Sequence, residues 1–118
     1  MNFRGKVETK NRSYNTTKIL QEKEILYAMI TDHPVVPIEF LPMSAALAVK
    51  NGLKEEEALK AITINPAKIL GIEHRVGTLD VGKEADICIY NDNPLNMNSK
   101  NMYTIISGNI VYDYNKNL

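Results

Sequence analysis

Tryptophan is missing from this chain, and aromatic residues make up only 7% of it, which argues against a stacking platform for nucleic-acid bases. An excess of either charge is missing too. Lys+Arg and Asp+Glu each number 14, so no footprint for nucleic acid or for an anionic membrane surface is expected. No apolar run is long enough to span a bilayer, and Met1-Asn2-Phe3-Arg4-Gly5 lacks the apolar centre of a signal peptide. The one cysteine, Cys88, cannot form an internal disulfide, so a reducing cytoplasm is the expected compartment. What is present is ordinary. With 44% hydrophobic and 24% charged residues over 118 positions, the chain suits one modest globular domain with its own core.

The most informative stretch is Ile30-Thr31-Asp32-His33-Pro34-Val35-Val36-Pro37. The run ahead of it, Ile25 to Ile30, is apolar without polar alternation, the pattern of a central parallel strand buried on both faces. A carboxylate and an imidazole therefore stand side by side where a strand gives way to a loop. In barrel and open α/β folds catalytic groups gather at that place. The same residues also suit simple turn chemistry, with Asp32 bonding backbone N–H groups and Pro34 ending the strand.

Around this stretch the chain reads as short elements. Residues 1–16 read as an extended polar loop, and Thr17 to Gln21 as a short helix capped by Asn15 or Thr16. Pro42 to Lys50 reads as a largely buried helix stopped by Asn51-Gly52. Lys54 to Thr63 reads as a second helix. Glu55-Glu56-Glu57 complement the dipole of its first turn, and Ala58, Leu59 and Ile62 form its inward stripe. Asn65 as N-cap and Pro66 at the first position begin a third, which ends at Gly71. Beyond it come a turn-rich segment from Val76 to Lys83 and a strand from Asp86 to Tyr90. Two more strands, Tyr103–Ser107 and Asn109–Tyr112, join around Gly108 as a hairpin. Cys88 is expected to be a small core residue, since no general base is recognisable near it. His74, between Glu73 and Arg75, reads as a surface residue, and Met29, Met43, Met97 and Met102 as packing. Gly82-Lys83 lacks the spacing of a phosphate loop.

Taken in order, Thr31-Asp32-His33-Pro34, the helix pair around Asn51-Gly52, Ile62-Thr63-Ile64-Asn65-Pro66-Ala67, and Gly77 through Gly82-Lys83-Glu84-Ala85-Asp86 resemble the C-terminal end of the amidohydrolase superfamily. The imidazolonepropionase-like members are the nearest in pattern. The resemblance implies an α/β fold: the C-terminal fragment of a metal-dependent (β/α)8 barrel hydrolase. Residues 1–74 would be the last strand and closing helices of the barrel, and 75–118 strands of its small β-sandwich. Family members take metal ligands from several strands, and of that set only the last, Asp32, is available here. No His-x-His pair occurs, since the two histidines are His33 and His74. A (β/α)8 barrel needs ~250 residues, so the resemblance implies a piece of a larger enzyme. It also implies a glycine between the first helix and the barrel strand. Lys23-Glu24 stand there instead, so the helix is expected to end differently.

The reaction so implied is attack of a metal-activated water on a C–N bond, a non-peptide amide or a cyclic amidine, in a small-molecule substrate of the parent. Asp32 would be both metal ligand and proton carrier, and His33 would bind substrate at the rim. The cofactor implied is a divalent metal, zinc or iron, in the parent and none in this chain alone, which is then inactive. The competing reading is a non-catalytic assembly module that forms a homo-oligomer through exposed barrel surfaces or completes a barrel in trans. A small-ligand binder built on Asp32 and His33 ranks below both, because no cluster of polar residues supports it.

Overall fold

A computed structural model describes residues 15–116, so the expected loop at 1–16 lies almost wholly outside the described residues. Four short helices come first: α1 (Thr16–Glu22), α2 (Leu41–Lys50), α3 (Glu55–Ala61) and α4 (Ile64–Leu70). Three strands follow: β1 (Ile87–Tyr90), β2 (Asn101–Ile106) and β3 (Asn109–Asp113). They form an antiparallel meander in the order β1-β2-β3. Among the described residues no helix is long and apolar enough to cross a membrane.

The end of α1 resolves the missing glycine. Glu24 itself adopts the left-handed conformation, with φ 56°. The Glu24 N–H donates to the Gln21 carbonyl at 3.0 Å, and the Ile25 N–H reaches back to the Leu20 carbonyl at 3.0 Å. This is the six-to-one closure of a Schellman motif, normally built on glycine. The helix therefore ends in the way a glycine would allow, with a glutamate bearing the steric strain at Cβ. Glu24→Gly is expected to raise the unfolding free energy by about 1 kcal/mol, read as a higher denaturant midpoint. An unchanged or lower midpoint contradicts the strain.

Helices α2, α3 and α4 meet through small residues. Ala45, Ala58 and Ala61 are fully buried and, with Ala48, Leu53 and Tyr27, form the core. Alanines let the helix backbones approach closely, and Leu20, Met29, Val49, Ile62 and Leu95 pack around them. Asn51-Gly52 ends α2 as expected, with Gly52 at φ 104° and the Leu53 N–H bonded to the Ala48 carbonyl at 3.0 Å. The expectation that α2 is largely buried is corrected: Met43 and Leu47 are 41% and 47% exposed. Helix α4 starts earlier than expected. Thr63 is its N-cap position and Asn65 is a buried residue of its first turn. Pro66 is accommodated there because first-turn N–H groups have no partner within the helix. The helix ends at Gly71, φ 72°.

The sheet is tied back to the preceding turn. Asp86 Oδ1 accepts the Ser107 N–H at 2.9 Å, and the Ala85 carbonyl accepts that of Gly108 at 3.1 Å. Ser107 and Gly108 both have positive φ, 50° and 79°, the two-residue hairpin turn whose twist matches its strands. Irregularities fall between Ile89 and Tyr90 and between Thr104 and Ile105. No residue of the three strands is fully buried. Cys88 is exposed, which corrects its expected core position: neither face of this sheet is covered enough to bury it.

Candidate functional site

Ile25 to Ile30 forms neither strand nor helix among the described residues, which corrects the expected central strand. Strand structure needs a neighbour to complete its ladder, and this segment has only single anchors. The Met29 N–H donates to the Ala61 carbonyl at 3.0 Å, and Tyr27 sits in the core at 8% exposure. Around these anchors Ile25, Leu26 and Ile30 are 49%, 52% and 78% exposed. Burial, and then the charge of Glu57, raises the Tyr27 phenol above its usual range. Its hydroxyl is buried without a hydrogen-bond partner among the described residues.

The anchored segment delivers Thr31 to Pro37 as a tight loop. The Asp32 carbonyl accepts the Val35 N–H at 2.8 Å, and the Thr31 carbonyl that of Val36 at 3.3 Å. Asp32 has φ 54°, a left-handed conformation that Asp and Asn tolerate better than most residues. Among the described residues no hydrogen bond or ion pair reaches its carboxylate. His33 is different. Its Nδ1 accepts the Ile38 N–H at 3.1 Å, and Ile38 opens a single 3₁₀ turn, Ile38–Phe40, ahead of α2. His33 thus satisfies a first-turn donor that has no partner within that turn.

The two residues singled out in the sequence therefore share one exposed loop. A carboxylate with all its acceptor positions open suits one ligand position of a divalent cation. A typical site needs about three or more protein ligands, and no group of three His, Cys, Asp or Glu side chains comes together among the described residues. A cleft of about 220 Å³ at the start of α2, lined in part by Phe40, Met43, Tyr90 and Met97, includes neither Asp32 nor His33. Two polar positions that hold the fold had no assigned role in the sequence. Asp86 fixes the hairpin turn, and Arg75 grips Glu84 through Nε at 2.9 Å and a second guanidinium nitrogen at 2.7 Å. Both sit near turn glycines, a signal of geometry and not of chemistry.

Comparison with known proteins follows the same line. A family model described as "Amidohydrolase family" matches residues 2–112. Imidazolonepropionase from Shewanella oneidensis is 59% identical over 39 residues, 33% of this chain and 10% of that protein. The crystal structure of an amidohydrolase from Thermotoga maritima is similar with a TM-score of 0.91 and 41% identity, covering 95% of this chain and 29% of that one. A Xaa-Pro dipeptidase with methionine bound in its active site has a TM-score of 0.72 and 27% identity, covering 85% of this chain and 25% of that one. The matched stretch covers a tenth of that imidazolonepropionase, and the chain covers less than a third of either solved structure.

Proposed function

Because the chain belongs to the amidohydrolase family, we propose that it is the C-terminal part of a metal-dependent hydrolase that cleaves a carbon–nitrogen bond with water. The observation that carries this reading is the open Asp32 carboxylate, presented on a hydrogen-bonded turn by a core-anchored segment in a chain whose relatives are hydrolases. In the longer polypeptide residues 1–74 complete a (β/α)8 barrel and residues 75–118 belong to a small β-sandwich. The further metal ligands then come from earlier barrel strands.

A bound divalent metal, zinc or iron, would supply Lewis acidity, which lowers the pKa of a coordinated water and polarises the bond under attack. The residues of this chain do the rest of what falls to it. Asp32 would hold the cation through its carboxylate. The same carboxylate takes the proton released by the attacking water and passes it to the leaving nitrogen. His33 borders the site and orients substrate. A non-peptide amide or a cyclic amidine is the favoured substrate class, supported by the local match to imidazolonepropionase, 59% identical over 39 residues. The test is expression of the longer polypeptide and assay of both substrate classes with and without divalent metal. Hydrolysis that survives complete removal of metal contradicts the proposal.

A second reading is favoured by the apolar surface. Ile30, Leu79 and Val81 are 78%, 80% and 107% exposed, apolar side chains that association would cover. By itself, the 118-residue chain then forms a dimer or larger oligomer through these surfaces. A monodisperse monomer in gel filtration counts against it.

A further inference from the structure

The bond between the Ile38 N–H and His33 Nδ1, 3.1 Å long, has a consequence for the chemistry of the site. A neutral imidazole carries one proton, on one nitrogen, and accepts at the other. The hydrogen bond made by one nitrogen decides which tautomer is present. Here a backbone N–H points at Nδ1, and that donor cannot be withdrawn by rotating a side chain. Nδ1 must offer its lone pair, and the proton must sit on Nε2. The ring is exposed, so its Nε2–H edge is available to a ligand.

We infer that His33 is held by the Ile38 amide as a fixed hydrogen-bond donor, and that it is not a metal ligand. This rests on the proposed reading for its setting beside Asp32. Coordination at Nε2 would need the proton to move to Nδ1, where the Ile38 N–H already points. Coordination at Nδ1 would displace that bond. Asp32 and His33 therefore divide the work: the carboxylate holds cation and proton, and the imidazole donates through Nε2. The substrate group that His33 meets is an acceptor, a carbonyl or carboxylate oxygen. A substrate N–H would find no partner there. Ile38 acts through His33 and is a positioning residue.

The chain offers its own control. His74 is the other histidine. It lies exposed in the connector after α4 and has no hydrogen bond among the described residues. Long-range proton–nitrogen correlation spectra of the uniformly 15N-labelled chain, taken about two pH units above the usual imidazole value, show which ring nitrogen carries the proton in each. The expected result is His33 held in the Nε2–H form more completely than His74. Ile38→Pro removes the amide donor at a first-turn position that proline suits. Pro37 before it, at φ −55° and ψ 140°, already has the conformation a following proline requires, and the Ile38 side chain is 63% exposed. This variant should bring the His33 nitrogen shifts to those of His74. A proton on Nδ1, or a His33 indistinguishable from His74 in the unaltered chain, overturns the inference whether or not the variant folds. In the longer polypeptide His33→Gln, which keeps a donor, should retain full metal content, and loss of metal overturns the inference there. Absence of metal from the unaltered longer polypeptide would instead sink the hydrolase reading and leave the tautomer standing.

Discussion

Asp32→Asn in the longer polypeptide is expected to lower kcat by about 10³-fold or more, the scale of losing a positioned acid–base group, with little change in stability. The variant is chosen for its conservatism. Asparagine accepts the left-handed conformation at φ 54° as readily as aspartate does. The turn that holds the loop is closed by main-chain bonds, from Val35 to Asp32 and from Val36 to Thr31, which the substitution leaves alone. What it removes is charge and basicity. An amide oxygen is a poor ligand for a cation that must also acidify water, and it cannot carry a proton to a leaving nitrogen. Measured kcat, denaturant midpoint and metal content together separate this account from a structural one. If Asp32 serves only the turn, kcat stays within a few-fold of the unaltered protein.

The second large effect is on stability. Gly77→Ala is expected to cost about 2–6 kcal/mol, the sum of two terms. Gly77 has φ 102°, where a side chain is strained by about 1–3 kcal/mol. A Cβ built there would lie 3.0 Å from the Ala67 Cβ, 3.1 Å from the Ile64 Cα and 3.1 Å from the Ile64 Cδ1, and overpacking of that kind adds about 1–3 kcal/mol. The two Ile64 and Ala67 contacts lie on α4, so the turn after Val76 is seated directly against that helix. Gly71→Ala and Gly82→Ala serve as controls. Both positions have positive φ, 72° and 92°, but a Cβ there meets nothing within 4 Å, so only the conformational term remains. Denaturant midpoints that fall equally in all three variants would remove the packing argument.

These two residues also show what a sequence can and cannot reveal about this chain. Gly71 and Gly52 end their helices where their position after an apolar stripe said they would, because helix stops are local chemistry. The hairpin around Gly108 was legible for the same reason. The close seat of Gly77 on α4 was not, since a glycine in a turn looks alike whether or not another backbone presses on it. The strand expected at Ile25–Ile30 was read from an apolar run whose meaning depends on neighbours. Without a paired strand it is an irregular segment held by the Met29 bond to Ala61 and by burial of Tyr27. Cys88 was misplaced for a related reason: alternation along a strand tells which side chains share a face, not whether that face is covered. Asn65-Pro66 read as a helix start, but the signal tolerates a shift of one or two residues, and Thr63 takes the capping position.

At the site, Asp32 and His33 were visible because they stand together in a recognisable motif. The partner that defines His33 was not. No local rule pairs a side chain with the backbone N–H five residues on, and that bond exists only because the loop folds back on the 3₁₀ turn before α2. The open carboxylate of Asp32 was equally invisible, since it depends on the turn being closed by main-chain groups alone.

The measurement that bears most directly on the central claim is divalent metal per chain by inductively coupled plasma mass spectrometry. It should be made on the 118-residue chain beside the longer polypeptide, both purified without chelator or histidine tag. Near-zero metal is expected in the first and a stoichiometric amount in the second, on the proposal that Asp32 is one ligand of a set completed elsewhere. Stoichiometric metal in the 118-residue chain, or none in the longer polypeptide, would contradict it.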